Sequence, residues 1–93
     1  VRRWWTARRA DDAEFRLVLA YGRYQSLFAA VAAAPADRDR VNDDACLQLS
    51  VAWYAWNDAW AAYGKRGLHP EFDPHTRVVA HREITVKHLG IVL

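Results

Sequence analysis

The stretch "SVAWYAWNDAWAAYG", Ser50 to Gly64, gathers three of the chain's five tryptophans and two of its four tyrosines. Trp53, Trp56, Trp60 and Tyr63 recur at three- and four-residue spacing, the period of a helix that turns one face to a core. Burying each ring contributes on the order of 2–3 kcal/mol. A platform for stacked bases also uses aromatics, but sets them beside cations on strands or loops. Here only Asn57 and Asp58 break the apolar run, and no Arg interleaves. The stretch reads as the core face of a helix.

Upstream, the same face continues through Ala45, Leu49 and Ala52. "ADRDRVNDD" supplies the opening, with Asp37 or Asp39 as N-cap. Gly64 and Gly67 supply the stop, and Lys65 and Arg66 suit the negative end of the helix dipole. This second helix is expected over 37–64. A first helix is expected over 11–34, opened by "DDAE" with Asp11 as cap and Glu14 three residues on; Thr6 is an earlier alternative start. Its core stripe is Leu17, Ala20, Tyr21, Tyr24, Leu27, Phe28 and Val31, and Pro35 marks the turn. Two long helices with a short connection make an antiparallel hairpin roughly 35 Å long.

After a linker over 65–73, the tail over 74–90 admits two periods. Asp73-Pro74 is a helix opening, with Asp as cap and Pro at the first position, and Gly90 a stop. Against it, Val78, Ala80, Ile84 and Val86 alternate as in a strand. A lone strand has no partner in this chain, so helix is preferred. The fold class is all-α: a hairpin plus a C-terminal helix, one small domain over 1–93, its bundle completed by another chain.

Composition agrees. Seventeen Ala, four Gly and three Pro favour helix over the many turns of an all-β chain. One cysteine, Cys46, excludes an internal disulfide and reads as a buried thiol. No apolar run reaches the ~20 residues of a membrane span, and a cytoplasmic location follows by default.

The need for another chain comes from the backs of the helices. Leu47, Val51 and Tyr54 lie opposite the tryptophans, interrupted by Asp58, and Phe15, Leu19, Gly22 and Ser26 form a second face on the first helix. A hairpin buries one face of each helix, and the tail covers only part of the rest. The surplus asks for a partner, most simply a second copy, or a place in a larger assembly.

Catalytic patterns are missing: no nucleophile elbow, Walker loop or dinucleotide glycine pattern occurs. His81 and His88 stand about 10.5 Å apart along a helix, too far to share one ion. Glu71, Asp73 and His75 are the one loop trio with chelating chemistry, and the histidines between 69 and 88 would otherwise make a pH-responsive cationic patch. No catalytic, metal or cofactor site is expected, and no small molecule is indicated. The leading expectation is a non-enzymatic interaction module. The alternative is a small nucleic-acid-binding subunit, because "VRRWWTARR" surrounds two Trp with four Arg. Arg2, Arg3, Trp4, Trp5, Arg8 and Arg9 would then form a contact arm over 1–10, with Arg77, Arg82 and Lys87 as a second patch.

Overall fold

The aromatic run over 50–63 lies inside a helix, as its period requires, and further helices precede and follow it. The structure, a computed structural model, describes residues 2–33, 40–64 and 69–89, with side chains described over 12–33, 44–64 and 69–88. It contains α1 (Arg2–Ala33), α2 (Arg40–Tyr63) and α3 (Val78–Leu89), with 3₁₀ turns at Pro70–Phe72 and Pro74–Arg77. No strand occurs among the described residues.

α1 corrects one expectation. Its backbone is helical from Arg2, so residues 2–10 are not a separate arm and Asp11 is not a cap. The sequence between Arg2 and Glu14 contains no Gly or Pro. Arg8 stands three and four positions before Asp11 and Asp12, the spacing at which opposite charges support a helix from within. α2 ends where the sequence supplies a stop. Gly64 adopts φ +71°, a conformation that costs glycine little, and its N–H reaches the Trp60 carbonyl at 3.5 Å. The expected caps at Asp37 or Asp39, the turn at Pro35, and Lys65, Arg66, Gly67 and Gly90 lie outside the described residues.

Leu17, Tyr24 and Val31 of α1 meet Leu49, Ala52, Trp56, Trp60 and Tyr63 of α2 in one buried core, joined by Cys46 and by Ile84 of α3. Antiparallel packing sets the ring of Tyr21 5.3 Å from Trp56, and that of Tyr24 5.4 Å from Trp53. Tilted and edge-on rings at such distances add attraction beyond area burial.

The tail folds back along the hairpin. Trp56 Nε1–H donates to the Phe72 carbonyl at 2.9 Å, and the Phe72 ring packs 4.9 Å from Tyr21. Asp73 caps the next segment as expected: its Oδ1 accepts the His75 N–H at 2.9 Å. The first turn is 3₁₀, however, and the α-helix proper begins at Val78. Asp73→Ala is expected to cost about 1 kcal/mol, read in a thermal melt, because it removes that cap. An unchanged melt would show that Pro74 alone sets the turn.

The tail is a helix, as its Asp73-Pro74 opening suggests. Val79 and Val86 are exposed on α3, whereas His81, Ile84, Thr85 and His88 face the hairpin. Of the residues that alternate as in a strand, Ile84 is buried, Val78 and Ala80 are half-buried and Val86 is exposed.

Candidate interaction surface

At about 100° per residue, Phe15, Leu19, Gly22 and Ser26 stand on the side of α1 opposite Leu17, Tyr24 and Val31. All four are exposed, Phe15 at 63%. Val18 extends the face, and a side chain at Gly22 would project into open space. Toward the C-terminal end only small exposed residues follow: Ala29, Ala30 and Ala33. α2 repeats this gradient. Leu47, Val51 and Tyr54 are exposed on its back, Val51 at 63%, and after them come the exposed alanines Ala55, Ala61 and Ala62.

Each helix turns its buried stripe toward the other, so the two backs point away from each other, one on each flank of the hairpin. The seven expected interface residues are therefore two faces, not one. Their borders differ in charge. Arg16 and Arg23 are exposed beside the α1 face, whereas Asp44 and Asp58 are the charged groups of α2 among the residues with described side chains.

α3 and the 3₁₀ turns cover one side of the hairpin. Away from them, between α1 and α2, a groove of about 610 Å³ is lined by Ala13, Ala20, Ala55 and Ala59, with Arg16 and Asp58 at its edge. Small residues on both helices leave this space.

Among the described residues the cationic side chains are not gathered. Side chains of Arg2, Arg3, Trp4, Trp5, Arg8 and Arg9 lie outside those described; their backbone is helical rather than an extended arm. Arg77 rests its guanidinium 5.7 Å from the centroid of the Phe28 ring. Arg82 and Lys87 are exposed, but five residues apart they stand roughly 140° from each other around α3.

Among the described residues no three His, Cys, Asp or Glu side chains are placed to hold a metal ion. The loop trio is divided: His75 Nδ1 sits 3.0 Å from Asp73, while Glu71 lies 3.2 Å from His69. His69 also meets Glu14 of α1 at 3.2 Å, tying the tail to the open end of the hairpin.

The surface patch expected of the histidines is likewise corrected, because His81 and His88 are buried. His81 stacks flat on Trp53, with centroids 4.4 Å apart and planes 9° apart. Its Nδ1 lies 2.9 Å from the Tyr24 hydroxyl. Its Nε2 and both ring nitrogens of His88 have no hydrogen-bond partner among the described residues. Burial pushes the His81 pKa down and the Tyr24 phenol up, the latter partly opposed by Arg77. The signal for this core was available: His81, Ile84, Thr85 and His88 share one helical stripe.

Among the described residues, no helix is long and apolar enough to cross a membrane. No family model, curated protein or solved structure matches the chain.

Proposed function

We propose that this chain is a non-enzymatic helical assembly module that self-associates through the outward faces of α1 and α2. One observation carries the reading: Phe15, Leu19, Leu47, Val51 and Tyr54 are all more than half exposed in a single chain. Scattered apolar residues are ordinary on a surface, but these share one face on each of two helices, that of α2 ending at Asp58. A nucleic-acid role through the arginines has no gathered cationic patch among the described residues to support it.

Light scattering across micromolar concentrations is expected to give a dimer or larger species. Val51→Asp places a charge without a counterion in the contact and should raise the association midpoint roughly tenfold or more, about 1.4 kcal/mol. A stable, soluble monomer at every concentration overturns the reading.

A further inference from the structure

We infer that the partner is a second copy of this chain, and that the contact is heterologous: the outward face of α2 in one copy seats on the outward face of α1 in the next. The inference rests on the self-association reading and specifies its geometry.

Shape and charge carry it together. Within the described side chains, both faces run from bulky to small: Phe15, Val18 and Leu19 precede Gly22, Ser26 and alanines on α1, and Leu47, Val51 and Tyr54 precede alanines on α2. Antiparallel pairing sets bulk against space; parallel pairing sets bulk against bulk. The chain already contains an antiparallel α1–α2 contact that works, with positions 21 and 24 opposite 56 and 53. Repeating that register between copies places the second copy's Tyr54 beside Gly22 and its Val51 beside Ser26. Its Leu47 falls beside Ala29 and Ala30, while Phe15 falls beside its Ala61 and Ala62. Phe15, Leu47, Val51 and Tyr54 each meet a small residue, whereas Leu19 falls beside the second copy's Asp58.

Charge then separates the ways of pairing. An α2–α2 contact across a two-fold axis near Val51 brings Asp44 of each copy toward Asp58 of the other. An α1–α1 contact about Gly22 brings the two Arg23 side chains onto the same edge. The α1–α2 contact instead sets Arg16 within one turn of the second copy's Asp58. Like charges are separated and opposite ones approach. Since the two faces lie on opposite flanks, each copy keeps one face open after pairing, and the assembly extends head to tail.

The test blocks one face at a time, in the whole chain, with Leu19→Asp for α1 and Val51→Asp for α2. Both positions are exposed in the single chain. Circular dichroism checks that helix is retained, and Leu19→Ser and Val51→Ser serve if either aspartate variant loses it. The expected light-scattering result is that each variant alone is monomeric while an equimolar mixture forms a 1:1 dimer. Within that mixture, Arg16→Glu in the Val51→Asp copy should weaken pairing roughly two- to fivefold. Asp58→Arg in the other copy should restore it.

A parent chain that never associates overturns both this pairing and the self-association reading. A parent that associates while either blocked variant still dimerises overturns the heterologous pairing alone. A mixture that stays monomeric does the same. Failure of the charge reversal to restore affinity overturns the register.

Discussion

Replacing Trp56 with alanine is expected to remove most of the chain's stability. Trp56 is fully buried, touches Tyr21, Tyr24 and Trp53, and anchors the tail through the Phe72 carbonyl. Truncating a buried aromatic typically costs about 3–5 kcal/mol in lost transfer energy and cavity. A domain of this size has little more than that to lose, with roughly 5–15 kcal/mol as the whole range for folded domains. At about 4–8 °C per kcal/mol, the melting temperature should fall by roughly 12–40 °C. Trp56→Phe keeps most of the volume but orphans the carbonyl, and should cost about 1–3 kcal/mol. Thermal melts followed by circular dichroism read both. A loss below about 1 kcal/mol for the alanine variant would place the core elsewhere.

Acid is expected to destabilise the fold through His81. Burial lowers its pKa from the ordinary 6.5, while the unfolded chain keeps the ordinary value. Above that value the imidazole is neutral in both states, and the pair costs nothing. As pH falls below 6.5, the unfolded chain takes the proton first, so stability declines. The slope is at most ~1.4 kcal/mol per pH unit, and the loss stops growing once the folded imidazole also protonates. The groups facing His81, the Tyr24 hydroxyl from α1 and the Trp53 ring from α2, carry no negative charge to hold its cation. His81→Gln keeps a hydrogen-bonding group and removes the titration. Urea melts between pH 7.5 and 5 should fall more steeply for the parent than for the variant. Identical profiles would assign the acid sensitivity to another group.

The hairpin was legible because its signal is long. Leu17, Tyr24 and Val31, and Leu49, Trp56 and Tyr63, each hold one face over many turns. The start of α1 was misread because "DDAE" has the chemistry of a cap, and only a continuous helix shows that its acids stand inside. The face that α3 turns to the hairpin was not legible from hydropathy. Hydropathy favours burying Val79 and Val86, yet the space beside Trp53 fits a flat ring that can also meet the Tyr24 hydroxyl. The outward faces could be found on a helical wheel. Their division between two flanks could not, because it follows from how the two helices face each other.

α3 therefore stands against its own hydrophobic gradient. Half a turn about its axis would hand His81 and His88 to solvent and bring Val79 and Val86 inward. The observed seating is held by the ring stack, one hydrogen bond and the burial of Ile84 and Thr85. In the language of energy landscapes this is local frustration, a place where the segment's pattern and the global fold disagree. The hairpin specifies itself; the third helix is specified by the hairpin.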